Sequence, residues 1–238
     1  VGGFSPIFMS RNRVRSWDEQ GFTVQASGRQ CQLHPQAPKM VKLGPDAHIF
    51  SPGHEHQYRR MTVREVARVQ SFPDNFHFIY DDVNYGYKMI GNAVPVNLAY
   101  HGLDLGFERA GFDVIWANEY DKSIHATYRL NHPNTTLNTS DIRSLSGSDI
   151  PDCDGIIGGP PCQAWSEGGK RLGIEDPRGQ LFWDYIRIVK EKKPKFFLIE
   201  NVQGILEDKH KESLGNFLKV LRDAGYNVTY ELLNAADY

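Results

Sequence analysis

One cysteine on a proline-bounded loop is the side chain in this sequence best placed for chemistry. Cys162 stands within the stretch GIIGGPPCQAWSEGG, residues 155–169, after an apolar run, two glycines and two prolines. Because proline fixes φ and lacks a backbone N–H, Pro160 and Pro161 end the preceding strand and stiffen the loop. A lone cysteine is more often a small buried side chain, but a loop of this kind favours an exposed nucleophilic thiol.

Three acidic residues end other predicted strands. Glu119 closes DVIWANE, Asp141 follows a short extended piece, and Glu200 closes FFLIE. The carboxyl ends of parallel strands meet at one edge of a sheet, so we expect these acids on the same rim as Cys162. An acid in such a position suits the ribose hydroxyls of a nucleoside-containing cofactor. Each acid alone could instead be a helix N-cap or a first-turn charge.

Strands and helices alternate through the second half of the chain, which predicts an α/β fold with a doubly wound parallel sheet. The predicted strands are 113–119, 155–159, 196–201 and 227–233, and the predicted helices are 103–110, 122–130, 181–190 and 211–224. Upstream, Thr62 and Glu65 form a capping-box pattern at the start of a helix that Pro73 stops. A Gly91-Asn92 turn is then predicted to precede a helix that begins near Pro95.

The first 58 residues predict a small, loop-rich lobe. Arg11, Arg13 and Arg15 alternate, so in an extended segment they would share one face, and Arg29 and Gln30 follow a Ser-Gly turn. Arginine and glutamine make bidentate contacts with base edges, although a solvated arginine-rich edge is an equally good interpretation.

Composition excludes several classes of protein. The chain of 238 residues has a net charge of −2, so a nucleic acid would have to bind a local basic patch. The three cysteines are too widely spaced for a disulfide framework, and neither a long apolar run nor a signal peptide is present. We therefore expect no membrane span and a cytoplasmic location. The trio His54, Glu55 and His56 lies on a polar loop, and we predict no metal site there.

Several stretches resemble motifs of the DNA cytosine-C5 methyltransferases. GGPPCQAWS with the downstream IENV resembles the catalytic pair of that family. RRMTVREVARVQSFPDNF resembles the ninth motif and YKMIGNAVPVNLA the tenth, while ANEYDK and Asp141-Ile142 resemble the second and third, which bind S-adenosylmethionine. The segments IFMSRNRVR and FTVQASGRQCQLHPQAP resemble the target-recognition region of bacterial members that recognise GGCC. The fold implied is the Rossmann-like methyltransferase sheet with a target-recognition lobe.

The resemblance implies a role for each matching residue. A flipped cytosine in duplex DNA would be attacked at C6 by the Cys162 thiolate, and Glu200 would hold N3. The catalytic residues implied are Cys162, Glu200, Asn201 and Pro160. The S-adenosyl-L-methionine residues implied are Gly102, Glu119, Tyr120, Asp141, Ile142, Pro160, Leu181, Asn92 and Val94. The DNA contacts implied are Arg11, Arg13, Arg15, Arg29, Gln30, Gln163, Ser166 and Thr62.

The order and content of the motifs depart from the family. The ninth and tenth motifs precede the catalytic half, so the order is circularly permuted, and the first (FxGxG) and eighth motifs are absent. We expect a target-recognition lobe at 1–58, a bridging segment at 59–100 and an incomplete catalytic α/β domain at 101–238. A complementing polypeptide, a rearranged variant or missing connecting residues would each account for this.

Three functions follow from these residues. The first is methylation of DNA within a bacterial restriction-modification system, and the second is a DNA-binding module without catalysis. The third, a nicotinamide-dependent oxidoreductase, is disfavoured because the chain has no GxGxxG.

Overall fold

The computed structural model describes residues 3–93, 103–160 and 180–233. These residues form two compact units. One unit falls within Val1–Asp113 together with Ser123–Pro133, and the other falls within Val114–Lys122 together with Asn134–Asn234.

The first unit begins with a lobe built from short extended segments. Val14 bridges Leu33 in parallel, and Leu33 bridges Arg60 in antiparallel orientation. Strand β1 (Val41–Gly44) pairs with strand β2 (Ala47–Ile49) as an antiparallel hairpin. The core of the lobe consists of Phe8, Val14, Leu33, Ala37, Met40 and Tyr58, all of them buried. Short 3-10 turns at Phe8–Ser10, Gly28–Gln30 and Glu55–Gln57 complete it.

Two helices pack together beside this lobe. Helix α1 (Val63–Val69) begins at the predicted capping box. The Thr62 hydroxyl oxygen accepts from the Glu65 N–H, and the Glu65 carboxylate accepts from the Thr62 N–H. Helix α2 (Val83–Asn92) begins at Asp82, whose side chain accepts from the Asn84 N–H. Their buried side chains share one cluster with Cys31, namely Met61, Val63, Val66, Ala67, Phe72, Tyr87 and Ile90.

Two more helices belong to the same unit. Helix α3 (Asp104–Arg109) is followed by Gly111, whose φ of +90° is readily adopted only by glycine. Helix α4 (His125–Asn131) ends at His132. The Tyr128 hydroxyl donates to the buried Asp104 carboxyl, which ties α4 to the start of α3. Burial raises the pKa of Asp104 despite this hydrogen bond.

The second unit contains two parallel strand pairs. Strand β3 (Trp116–Asn118) pairs with β4 (Thr136–Asn138), and β5 (Gly155–Gly158) pairs with β6 (Phe196–Ile199). Helices α5 (Leu181–Lys192) and α6 (Lys211–Asp223) cover the second pair through a core that includes Phe182, Ile186, Val189, Phe217 and Leu221. Parallel strands joined through helices confirm the predicted α/β class. Within the three described ranges, the two pairs do not hydrogen-bond to each other.

Two predicted elements are wrong. Gly91 and Asn92 are the last two residues of α2 and do not form a turn. Residues 227–233 form no strand, because no neighbouring strand in the described part of the chain supplies hydrogen bonds to them. The helix predicted to begin near Pro95 lies outside the described residues.

Candidate functional site

The carboxyl ends of β5 and β6 bring the predicted catalytic acid beside the proline loop. The Glu200 backbone N–H donates to the Gly158 carbonyl, 3.0 Å away, which extends the parallel ladder by one residue. Glycine at position 159 lets the acid approach, since a Cβ atom there would stand 3.3 Å from Glu200 Oε2. The carboxylate of Glu200 therefore lies next to Gly159, the residue before Pro160.

Burial sets the protonation of this acid. The Glu200 side chain is half-buried, and desolvation raises the pKa of its carboxyl above the ordinary value. A carboxyl group with a raised pKa keeps a proton more readily, so it can donate a hydrogen bond to a ring nitrogen. This is the behaviour expected of an acid that binds an aromatic heterocycle.

Asn201 fastens the loop to the neighbouring strand. Its Nδ2 donates to the Pro160 carbonyl at 3.1 Å, while its Oδ1 accepts from the Val202 N–H at 3.0 Å. Both polar ends of the side chain are therefore used. Because the contact joins residues far apart in sequence, it fixes the end of β5 relative to the end of β6.

Tyr185 on α5 braces the same strand pair, a role that an aromatic residue in a predicted helix does not reveal. Its hydroxyl lies 2.9 Å from the Ile156 carbonyl and 3.0 Å from the Leu198 carbonyl. The ring also fills the space over Gly158, where a Cβ would come within 2.7 Å of it. Burial raises the pKa of the Tyr185 hydroxyl, so it remains a donor to these carbonyls.

The carboxyl ends of β3 and β4 are followed by the two acids predicted to bind the cofactor, Glu119 and Asp141. Glu119 directly follows β3 and its N–H donates to the Asn138 carbonyl at 3.1 Å, so it stands at the carboxyl end of the β3–β4 pair. One oxygen of Glu119 accepts from the Asp121 N–H at 2.6 Å. Tyr120 beside it is largely exposed.

Asp141 caps the 3-10 turn Ile142–Ser144 that follows β4. Its carboxylate accepts from the Arg143 backbone N–H at 3.0 Å and from the Arg143 guanidinium. The hydrogen bond from that guanidinium lowers the pKa of Asp141 to about 2, so the group is ionised at neutral pH. The Ile142 carbonyl accepts from Arg187 at 3.0 Å, which ties this turn to α5.

The predicted DNA-contacting arginines differ in their surroundings. Arg11 and Arg29 are exposed, and the Arg15 guanidinium lies 4.1 Å above the Phe22 ring. Arg13 is only 7% exposed, so the expectation that Arg11, Arg13 and Arg15 present one common face is wrong for Arg13.

The contacts of Arg13 explain its burial. Its Nε donates to the Phe8 carbonyl at 2.8 Å, and its Nη2 donates to the Ile7 carbonyl at 3.1 Å and to Gln30 Oε1 at 3.2 Å. Desolvation lowers the pKa of Arg13. Arg13 therefore holds the lobe together and positions Gln30.

Several predicted site residues occupy other positions. Thr62 is exposed at the start of α1, Leu181 is the first residue of α5, and Asn92 is the last residue of α2. Five lie outside the described residues: Cys162, Gln163, Ser166, Val94 and Gly102. In the part of the chain that the structure describes, no group of His, Cys, Asp or Glu side chains is arranged to hold a metal ion. No helix there is long and apolar enough to cross a membrane.

The C-5 cytosine-specific DNA methylase family matches this sequence in two stretches, residues 1–101 and 99–238. The chain belongs to that family. Members of the C-5 cytosine-specific DNA methylase family use S-adenosyl-L-methionine as the methyl donor. The acids at the ends of β3 and β4 are compatible with such a nucleoside-containing donor, because carboxylates accept hydrogen bonds from hydroxyl and amino groups.

Two curated relatives are bacterial Type II methyltransferases. M.NgoPII of Neisseria gonorrhoeae is 58% identical over 138 residues, which cover 58% of this chain and 40% of the relative. M.FnuDI of Fusobacterium nucleatum is 57% identical over 137 residues, with the same two coverages of 58% and 40%. The chain thus spans less than half the length of these relatives. A crystal structure of a candidate DNA modification methyltransferase from an E. coli prophage is 36% identical, covers 51% of this chain and 35% of that one, and has a TM-score of 0.45.

Proposed function

We propose that this methylase-family chain takes part in methyl transfer from S-adenosyl-L-methionine to C5 of cytosine in duplex DNA, within GGCC. The observation that carries the proposal is the position of Glu200. This half-buried acid with a raised pKa lies beside Gly159, three residues before Cys162 in the sequence. In this proposal the chain serves a restriction-modification system in the bacterial cytoplasm, and its relatives are bacterial Type II methyltransferases.

The chemistry begins at C6 of a cytosine flipped out of the duplex. The Cys162 thiolate adds to C6 and forms a C–S bond, while Glu200 donates a hydrogen bond to N3 and stabilises the electron density that moves into the ring. C5 becomes nucleophilic and accepts the methyl group that the sulfonium donor supplies. Loss of the C5 proton to a base and departure of the thiolate from C6 restore the aromatic ring and the free cysteine. Pro160 and Asn201 would fix the direction from which the thiol approaches.

Two of the residues proposed to hold the methyl donor, Glu119 and Asp141, follow strands β3 and β4. Glu119 would accept from the ribose hydroxyls, Tyr120 would stack on adenine, and Asp141 would accept from the adenine amino group. Asp141 can do so while it binds Arg143, because an ionised carboxylate has about four lone-pair sites. The remaining residues proposed for this site are Ile142, Leu181, Asn92, Val94, Gly102 and Pro160.

The proposed DNA contacts divide by their accessibility. Arg11, Arg15 and Arg29 would contact phosphates or guanine edges, and Gln30 would contact a base edge from the position that Arg13 gives it. Thr62, Gln163 and Ser166 are proposed as further contacts. Arg11 and Arg29 are exposed and therefore accessible to DNA, whereas the buried guanidinium of Arg13 is not available to a ligand.

We further propose that a polypeptide segment from outside these 238 residues completes the sheet. Ile115 and Glu119, which flank β3, hydrogen-bond to the β4 side. Main-chain groups of alternate residues in a strand point to opposite sides, so those of Trp116 and Asn118 point away from β4. In β5, Asp154 and Gly158 hydrogen-bond to β6.

By the same alternation, Gly155 and Ile157 direct their main-chain groups away from β6. Neither edge pairs with another strand in the described ranges, and no residue of β3 or β5 is fully buried. An open strand edge presents a row of main-chain N–H and C=O groups, so an added strand that pairs with these groups is the expected remedy. The family model matches residues 1–101 and 99–238 as two separate stretches, and in this proposal the absent first motif belongs where they meet.

The open strand edges also favour a second function, a DNA-binding module without catalysis. A lobe with exposed arginines can bind duplex electrostatically even when the methyl-donor site is incomplete. This alternative predicts salt-dependent DNA binding without affinity for S-adenosylhomocysteine, which calorimetry measures directly.

Methyl transfer is tested with tritiated S-adenosyl-L-methionine and a GGCC duplex. The chain is assayed alone and together with a polypeptide that carries the absent first and eighth motifs. We expect label in DNA in the second mixture and none after Cys162→Ser substitution. A duplex with 5-fluorocytosine should trap the active mixture covalently, because the fluorine cannot leave C5 as a proton does. Absence of label and of trapping in both mixtures would overturn the catalytic proposal, whereas trapping by Cys162→Ser would overturn the nucleophile.

A further inference from the structure

Trp17 is an exposed aromatic side chain on a fixed turn of the lobe. Its side chain is 76% exposed, the largest value among the bulky apolar residues described. The turn is closed by the Glu19 N–H, which donates to the Ser16 carbonyl at 3.1 Å, and by the Ser16 N–H, which donates to Glu19 Oε2 at 2.8 Å. Lys39 binds the other Glu19 oxygen at 2.7 Å. The backbone around Trp17 is therefore held by the hydrogen bonds between Ser16 and Glu19 and by the contact of Glu19 with Lys39.

The indole ring of Trp17 also contacts a side chain of the lobe, the imidazole of His34. The Trp17 ring stands edge-on to the His34 ring, with centroids 5.3 Å apart. His34 Nδ1 accepts from the Gln36 N–H at 3.2 Å, so a neutral His34 carries its proton on Nε2, which lies 3.6 Å from Glu65 Oε1. Glu65 is itself clamped by Arg59 through two contacts of 2.7 Å. A chain of contacts thus links the exposed indole to the cap of α1.

The charges around the turn favour a nucleic acid as the ligand. Arg11 and Arg15 precede Trp17 on the same segment, and the negative charge of Glu19 is paired with Lys39. Asp18, which follows Trp17 directly, is the acidic side chain that stands exposed at this turn. An exposed indole on the same segment as two arginines offers both halves of a nucleic-acid contact, because aromatic faces stack on bases while guanidinium groups hold the backbone. A base that loses a stacking neighbour when a nucleotide flips out would offer such a face.

We propose that Trp17 packs its indole ring against a nucleobase of the bound duplex and so positions the recognition lobe on DNA. This inference rests on the proposed function, since it requires that the lobe bind DNA. In this assignment His34 is a positioning residue, which limits the motion of the ring and thereby lowers the entropy lost when DNA binds.

The experiment measures the dissociation constant of the full chain for a GGCC duplex over a range of salt concentrations. Trp17→Ala should weaken binding about tenfold, because base stacking on an aromatic side chain has an effect of that order. The slope of log K against log salt should stay unchanged, since no phosphate contact is removed. Trp17→Phe should retain most of the affinity, and Tyr230→Ala removes an exposed aromatic of the other unit as a matched control.

Each other outcome overturns the inference. Wild-type affinity in Trp17→Ala would show that the ring does not touch DNA. A shallower salt slope would assign the effect to displaced phosphate contacts. If neither the wild-type chain nor its mixture with a polypeptide that carries the absent first and eighth motifs binds the duplex, the proposed function fails together with this inference. A thermal unfolding midpoint of Trp17→Ala equal to that of wild type shows that its fold is intact.

Discussion

Asn201 Nδ2 donates to the Pro160 carbonyl at 3.1 Å, which joins the ends of two neighbouring parallel strands. In Asn201→Ala this contact and the one to the Val202 N–H are both lost. We expect the free energy of unfolding to fall by about 1 kcal/mol, which denaturant titration measures. Asn227→Ala, at an exposed extended position, is the control and should change stability little. Equal stabilities of the two variants would contradict a bracing role for Asn201.

Arg11 and Arg13 lie two residues apart, but their substitution should affect different properties: DNA binding for Arg11 and stability for Arg13. Arg13→Ala removes a buried, hydrogen-bonded guanidinium, so we expect a loss of about 2–3 kcal/mol in the free energy of unfolding. Arg11→Ala should leave stability within about 0.5 kcal/mol of wild type. It should weaken duplex binding and reduce the salt slope by about 1 if Arg11 contacts a phosphate. A stable Arg13→Ala chain with selective loss of DNA binding would reverse this assignment.

Glu65 should make stability depend on pH in the acid range. The hydrogen bonds from Arg59 lower the pKa of Glu65 from an ordinary value of 4.5 to about 2. Because the folded-state pKa is depressed, the stabilisation is present above 4.5 and is lost as the pH falls towards 2.

The comparison is wild type against Glu65→Gln, by denaturant titration at a series of pH values. Wild type should be the more stable protein at pH 6, and the difference should shrink as the pH falls through this window. Glu212→Gln, in the first turn of α6, controls for the loss of one exposed charge. A difference that is constant from pH 6 to pH 2 would contradict the linkage.

Two helical glycines offer a matched pair of substitutions. A Cβ on Gly91 would come within 2.3 Å of backbone atoms of Gln25 and Ala26, whereas a Cβ on Gly215 meets nothing within 4 Å. Gly91→Ala should therefore destabilise the fold by about 3 kcal/mol, since backbone must move. Gly215→Ala should stabilise it by about 1 kcal/mol through helix propensity. Thermal unfolding of both variants would test the contact, and a stable Gly91→Ala chain would refute it.

Local patterns predicted much of the fold. The capping box at Thr62 and Glu65 and the apolar strand before the proline loop both depend on neighbouring residues. The start of α5 is correct, and α6 ends one residue before its predicted end. The sequence also placed Glu200 and Pro160 at neighbouring strand ends, because parallel strands bring their carboxyl ends together.

Features that depend on distant packing were missed. The alternation of Arg11, Arg13 and Arg15 cannot reveal that the middle residue points into the lobe, since Phe8 and Gln30 create its site. The Gly91-Asn92 pair predicts a turn, but both residues lie in α2, which packs against the Gln25–Ala26 backbone. Residues 227–233 have an alternating pattern without a neighbouring strand in the described ranges, so pattern alone overpredicted a strand.

The close contact at Gly91 has a consequence for protein engineering. Because α2 touches the Gln25–Ala26 backbone without room for a methyl group, the lobe and this helix have shapes that must match. A chimera that exchanges the lobe between relatives would break this fit if the graft boundary were placed at residue 58. The transferable module extends through Asn92, and chimeras cut there should express and refold better than those cut earlier.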